Sequence, residues 1–516
     1  MRVFLKVVSV FFLSGIIFLN QSYAQNDTTG ISVVTKGNSF EKVASKVSYL
    51  DGFDDAGNTY VIMADGRYET DHYLAQINAS MNQTNYKKIE LESEGKKYIY
   101  EHIQLFNNDL YLFSSILDSK NKKKILFVQT IDKQTLLPNK DIRKVEEFDI
   151  SKSMGVVTPT NKTLYFKATK DRSKLAVCLM VPFNANISVV VFDDKVNVLW
   201  KRTLILKSAG DINYYIEFEL NNAGDVSYML RSKDPNRILN SGQKAVYYVV
   251  GCFDKGTIVK EFPLDIKDKA IKELSLYMDD TNIICAGYVC KLDPKNAFGS
   301  NKMWGSCFFK IDILSKNAAV PKYADFDPEM FNTKNSDVVK PVEDDENHLY
   351  LDYLTTSIVL NENGTVFLIG EALKQSESST VFSNILLIAF SNSGDKQWSK
   401  HIYKTQVQGA IVTSFSSYTA VTLNDDLYLL FNDYVTNINI KRGELPEIFR
   451  GDKPSVLAMI KIDAKGNATK RAMINYDAGG AFVMPYVAFQ LYKKNDLLLI
   501  GISKSKYQLY KCALKK

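Results

Sequence analysis

ENGTVFLIGE, Glu362–Glu371, and ILLIAFSNSGDKQWSK, Ile385–Lys400, decide the fold. In the first, an Asn-Gly turn throws the chain into an apolar run rich in β-branched and aromatic residues, and a similar apolar run precedes the turn. That is a hairpin, because Asn and Gly tolerate the left-handed backbone that a tight turn needs. In the second, an apolar strand ends at Asn392–Asp395, turns, and re-enters as a short strand carrying Trp398. Two hairpins in succession make a four-stranded antiparallel meander.

Working outward, the first hairpin is found eight times. Its turns are Asp54-Asp55-Ala56-Gly57-Asn58, Asn107-Asn108-Asp109, Lys170-Asp171-Arg172-Ser173, Asn222-Ala223-Gly224-Asp225, Asp279-Asp280-Thr281-Asn282, Asn361 to Gly364, Asn424-Asp425-Asp426 and Lys494-Asn495-Asp496. The second hairpin follows each of the first seven, at Asn78, Asp132, Asp194, Asp254, Asp312, Asn392 and Asp463. Sheets that repeat this way bury both faces by stacking radially, so the expected fold is an all-β propeller of eight four-stranded blades. Seven blades with one aberrant unit is the competing count. The last unit stops one strand short, while Ile31 to Lys36 has no partner near the first unit. Pairing the two would close the ring and remove an exposed edge. Phe192 to Trp200 and Phe390 to Trp398 have the same spacing, which makes the two indoles equivalent packing positions in preference to a ligand-stacking pair.

DDAGNTYVIM from Asp54, ENGTVFLIGE from Glu362 and ILLIAFSNSGDKQWSK to Lys400 resemble the bacterial propeller repeats of the SBBP type. The likeness covers most of the chain as a pattern and two or three units by letter. It implies the fold and hands over no catalytic residue. SNSGDKQW from Ser391 also looks distantly like the Asp-box turn of sialidase propellers, with its glycine and aspartate displaced.

The N-terminus reads as a secretory signal. Arg2 and Lys6 precede the apolar run Val7 to Leu19, and Ser22-Tyr23-Ala24 offers small residues before Gln25. The expected organisation is a signal peptide over 1–24 and one propeller domain over 25–516, exported to the periplasm or the medium, with no membrane span once the signal is removed. Of the 516 residues 46% are apolar and 12% aromatic, ample for a large β interior. The net charge of +6 comes from dispersed lysines. Scattered charge of this kind blunts strand edges, and no nucleic-acid partner is expected.

Function is placed on the long connections opposite the tight turns, because variable loops on a rigid scaffold are where binding resides. These are Ser232 to Lys244, Lys291 to Met303, Ser315 to His348, Lys374 to Val381 and Asp433 to Pro454. Arg237, Trp304, Arg442, Glu444 and Arg450 are the candidate partner-binding residues. A protein or glycan on this loop-rich face is the expected partner. Asp344-Asp345-Glu346-Asn347 lacks the alternation of a calcium loop, and His72, His102, His348 and His401 are dispersed, so no metal is expected. Three tryptophans and no adjacent cysteine pair argue against a quinoprotein, and no cofactor is expected. Of the six cysteines most sit inside apolar strands as buried thiols, Cys290 and Cys307 being the pair that could bridge. No G-x-S-x-G elbow or Walker loop occurs. The expected function is a non-catalytic binding or scaffolding module. The alternative is a carbohydrate-active or other hydrolytic enzyme with acidic residues at the central channel, favoured if carboxylates with shifted pKa values converge on the axis.

Overall fold

The computed structural model describes residues 30–515 apart from 43, 45, 51, 66–69, 94, 107, 151–162, 181–185, 207–212, 240–241, 293–301, 328–348, 351–352, 376–378, 410–414, 441–443, 445, 478–479 and 492–495. The signal-peptide segment and the Asp344–Asn347 run therefore lie outside the described residues. Among those described, no helix is long and apolar enough to cross a membrane.

The meanders appear in chain order as antiparallel sheets, each strand paired with the next. The first comprises Lys46–Tyr49, Thr59–Asp65, Asp71–Ile77 and Gln83–Lys88. The second comprises Ile99–Phe106, Asp109–Asp118, Lys123–Ile131 and Arg143–Asp149. The third comprises Leu164–Ala168, Lys174–Leu179, Asn186–Asp193 and Val198–Ile205. The fourth comprises Asn213–Leu220, Val226–Leu239, Gly242–Phe253 and Ile258–Leu264. The fifth runs through Lys269–Met278, Asn282–Lys291, Lys302–Asp312 and Asn317–Ala318, with Lys322–Asp325 also on its third strand. The sixth comprises Tyr353–Leu360, Val366–Gln375, Ser379–Phe390 and Lys396–Ile402. The seventh comprises Thr419–Leu423, Asp426–Tyr434, Ser455–Ile462 and Ala468–Asn475. The eighth has Phe489–Leu491, Asp496–Ile502 and Lys506–Lys515. Gly30–Lys36 pairs antiparallel along its Lys506–Lys515 edge, with Ile31 opposite Leu514.

Each hydrophobic cluster lies between two successive sheets, which is what makes the array a propeller. Tyr60 packs with Leu105, Phe113 with Phe192, Trp200 with Tyr228, and Phe253 with Phe309. Further along, Phe308 packs with Phe390, Phe367 with Phe431, and Leu430 with Tyr510. Ile500 of the eighth sheet then packs with Met63 of the first. Every fully buried side chain of this size is worth ~1.5–3 kcal/mol, so the faces between sheets carry the stability.

The turn letters do local work. Asp54 accepts the Asn58 backbone N–H at 2.8 Å and the Tyr60 hydroxyl at 2.7 Å, which closes the first turn. The turns also bond onward to the next sheet: the Asp171 N–H donates to Asn222 Oδ1, and the Asn222 N–H to Asp280 Oδ1 at 2.7 Å. Trp200 Nε1 donates to the Gly224 carbonyl and Trp398 Nε1 to the Ala464 carbonyl. Their rings lie on Gly256 and Gly466, where a Cβ would come within 2.7 and 2.9 Å of the indoles and φ is +74° and +81°. The two tryptophans are thus matching inter-sheet packing positions.

Two expectations are corrected. Cys290 and Cys307 form no bridge: all six cysteines are free and buried, Cys290 facing Met303 across the ladder and Cys307 facing Gly287. The connection read as a loop from Ser232 to Lys244 is mostly a continuation of the strand ladder, with Lys233 opposite Ala245 and Ile238 opposite Gln243.

Candidate functional site

The first strands of successive sheets lie against one another from the third sheet to the seventh, so these strands form the inner wall. Their sequences divide that wall. Lys46, Glu101, His102, Lys167, Glu217, Glu219 and Glu273 sit on the first strands of the first five sheets, whereas Tyr353–Leu360, Thr419–Leu423 and Phe489–Leu491 hold no charged residue. Register shifts at Tyr100/His102, Tyr215/Glu217 and Ile271/Glu273 put a bulge beside each glutamate-bearing stretch. A bulge bends the strand and re-aims its side chains.

At the edge opposite the tight turns, a cleft of about 210 Å³ opens between the first and second sheets. Lys46, Ala64 and His72 form one cross-strand row of the first sheet. Tyr100, Glu101 and the backbone side of His102 line it from the second, over a floor of Leu50 and Ile62. The His72 ring stacks on Tyr100 with centroids 3.7 Å apart, and His102 stacks on Phe166 at 4.7 Å. His102 Nε2 lies 3.3 Å from Gln104 Oε1. Burial, followed by the charge of Glu101, pushes the Tyr100 phenol well above its ordinary range.

The buried charges carry their own counter-ions. Glu101 pairs with Lys124 at 2.8 Å and accepts the Ser115 hydroxyl at 2.5 Å. Glu371 and Lys404, each 1% exposed, pair at 2.5 Å, and Lys404 also donates to Gln406 Oε1. Burial lowers the Lys404 pKa. Asp433 pairs with Lys470 at 2.7 Å and accepts from Asn437 Nδ2. On the inner wall Glu219 pairs with Lys167 at 2.7 Å, and burial still raises its pKa. Glu217, on the same face two residues earlier, instead accepts the Leu276 backbone N–H at 2.6 Å. Burial pushes the Glu217 carboxyl up to about 7, Glu219 adding to the rise and the Leu276 N–H and Lys167 opposing it.

The residues singled out from sequence do not meet in one place. Trp304 is half-buried on the third strand of the fifth sheet, with Lys291 Nζ 5.4 Å from its ring centroid. Glu444 and Arg450 are exposed on the connection inside the seventh sheet, where the Arg450 N–H donates to the Tyr434 hydroxyl at 2.9 Å. Arg237 lies on the strand Val226–Leu239 and its side chain is outside the described residues, as is Arg442 altogether. Conversely, two histidines read as dispersed line one cleft. No short motif announces that meeting, because His72 and His102 belong to different sheets. Among the described residues no group of three or more His, Cys, Asp or Glu could hold a metal.

No family model and no curated protein matches the sequence. The chain is similar to the solved Dos1 propeller, at 9% identity over 92% of this chain and 94% of that one, with a TM-score of 0.46. The polysaccharide lyase Uly1 gives 11% identity over 93% and 100% of the two chains, TM-score 0.40. The β-propeller domain of the Trilobed protease from Pyrococcus furiosus gives 10% over 87% and 99%, TM-score 0.33. The propeller assignment rests on the sheet order and the clusters between sheets, not on these likenesses.

Proposed function

We propose that this protein is an exported, non-catalytic propeller of eight blades, a single domain of SBBP type over 25–516, that holds a protein or glycan partner on its loop-bearing face. The count of eight over seven is supported by the eight sheets of four or more strands. Closure by the N-terminal strand is supported by its pairing along Lys506–Lys515 and by the Arg471 guanidinium donating to the Ile31 carbonyl at 3.0 Å.

The observation that carries the binding reading is the neutralisation of the buried charges from within. Glu101, Glu371 and Asp433 each face a lysine and a hydrogen-bond donor of the protein itself. A buried pair of this kind fixes geometry and leaves no uncompensated charge. The loop side then offers a pre-organised surface with the His72–Tyr100 cleft as its concave part. Surface plasmon resonance of the mature chain against the secreted proteins and the surface polysaccharide of the native host tests this. Binding weakened by Arg450→Ala with Glu444→Ala, and untouched by Asn363→Ala with Lys465→Ala on the tight-turn side, is expected. Equal effects from both pairs of substitutions would overturn it.

Glu217 favours a second reading, a carbohydrate-active or other hydrolytic enzyme. A carboxyl with a pKa of about 7 on the inner wall is suited to exchange a proton at neutral pH. Turnover of a glycan that disappears in Glu217→Gln would decide for it.

A further inference from the structure

We infer that a second hollow on the loop-bearing side, between the seventh sheet and the seam where Gly30–Lys36 meets Lys506–Lys515, is a monosaccharide subsite that takes one pyranose ring at the end of a glycan. The inference rests on the binding reading above and narrows its partner to a glycan.

Place comes first. Along Lys506–Lys515 alternate residues point to one face, so Lys506, Gln508 and Tyr510 share a face, and Lys36, opposite Tyr510 in the ladder, joins them. Asn475, at the end of the seventh sheet's last strand, and Asp477 just beyond it complete the lining of a hollow of about 170 Å³. Ser503 and Lys506 bound the turn between the second and third strands of the eighth sheet, which puts the hollow at the edge opposite the tight turns. Its volume is well below the ~300 Å³ at which drug-sized pockets begin, so it admits a single ring.

The polar groups here are open, unlike those of the buried ion pairs. Among the described residues the side chains of Ser39, Asn475, Lys506 and Tyr510 have no hydrogen-bond or ionic partner. Gln508 spends its amide nitrogen on the Gly37 and Leu509 carbonyls and keeps its oxygen as an acceptor. Asp477 has Lys36 at 3.8 Å, with both side chains more than half exposed, a contact worth little to either. Tyr510 is 4% exposed, and burial, followed by the charge of Asp477, raises its phenol to about 12, so it stays a donor at neutral pH. A sheltered hydroxyl with no protein partner takes one from whatever enters the hollow. The open set mixes donors with acceptors, and its amide and hydroxyls are both. A lone anion would meet the Asp477 carboxylate, and a hydrocarbon group would bury polar atoms unpaired. Adjacent ring hydroxyls, each donor and acceptor, match the set, while the Tyr476 and Tyr510 rings in the lining suit the carbon side of a sugar. The Tyr476 hydroxyl donates to Asn432 Oδ1 and accepts the Val483 N–H, which fixes that wall before a ligand arrives and lowers the ordering cost of binding.

Saturation-transfer NMR of the mature chain tests this. The probes are the methyl glycosides of glucose, galactose, mannose and N-acetylglucosamine, with sorbitol, an open-chain polyol, and N-acetylalaninamide as comparisons. At least one glycoside should bind, and at least tenfold more tightly than sorbitol. Tyr510→Phe, which keeps the ring and removes only the hydroxyl, should weaken that glycoside severalfold. Asn475→Ala with Lys506→Met, both at exposed positions, should weaken it at least tenfold with Tm unchanged. A wild-type chain that takes none of the four glycosides, sorbitol that binds as well as they do, or an exposed pair of substitutions that behaves as wild type would overturn the inference. N-acetylalaninamide bound in place of the glycosides would overturn it in favour of a polypeptide. A wild-type chain that keeps its Arg450- and Glu444-dependent partner while taking no glycoside removes the subsite alone. Glycoside binding without any loop-dependent partner removes the broader reading alone.

Discussion

Replacing Glu217 by Gln isolates the energetic consequence of a carboxyl held out of water. Gln keeps the acceptor for the Leu276 N–H and the volume, and removes the ionisation. The folded carboxyl titrates at about 7 against 4.5 as the ordinary value. At 1.36 kcal/mol per unit, that difference is about 3 kcal/mol. Between the two values the folded state holds a proton that the unfolded chain has lost, so stability falls as pH rises through this window. The groups that face Glu217 are Glu219 from its own strand, Lys167 from the third sheet and the Leu276 N–H from the fifth. Removing the charge also relieves repulsion with Glu219. Unfolding entropy of ~2.1 cal/mol/K per residue makes 1 kcal/mol worth about 1 °C for a chain this long. The wild-type Tm should therefore drop by about 3 °C relative to Glu217→Gln between pH 4.5 and pH 8, with the two coinciding at the acid end. Calorimetric scans of both proteins across that range measure it. Parallel curves, with no divergence above neutrality, would refute the burial assigned to this carboxyl.

Lys404→Met strands the buried Glu371 carboxylate and should cost ~3–5 kcal/mol, whereas Glu371→Gln combined with Lys404→Met should cost less than Lys404→Met alone, as a double-mutant cycle by chemical denaturation will read. Deleting 25–42 removes the strand Gly30–Lys36 and the buried Ile31, and should lower Tm by several degrees; a variant that melts with the wild type would show that the strand does not close the ring. All six thiols are buried, and burial raises the pKa of Cys252 and Cys512 to about 12. A thiol reagent should label none of them in the native protein and all six after unfolding, and labelling of Cys290 or Cys307 before unfolding would contradict the strand register.

Sequence alone was sufficient for the meander, because the information that makes it is local. The turn from Asp54 to Asn58 is closed by hydrogen bonds spanning no more than six residues, and the apolar runs on either side need only pair with what the turn delivers. Eight copies of that signal make radial stacking the economical way to bury both faces, and the matching positions of Trp200 and Trp398 followed from spacing alone. The candidate site was not legible in the same way. Glu101 meets Lys124, and His72 meets Tyr100, across strands or sheets, so no spacing in the chain encodes either meeting. That Cys290 faces Met303, with Cys307 three rungs away opposite Gly287, is set by the register of two strands that share the same apolar alphabet. The length of the hairpin around Ser232 to Lys244 was likewise settled by ladder pairing, which its polar letters do not announce. Hydrogen bonds within a turn are written in adjacent residues. The partner of a buried charge is chosen by which faces the ring brings together, and only the folded chain holds that choice.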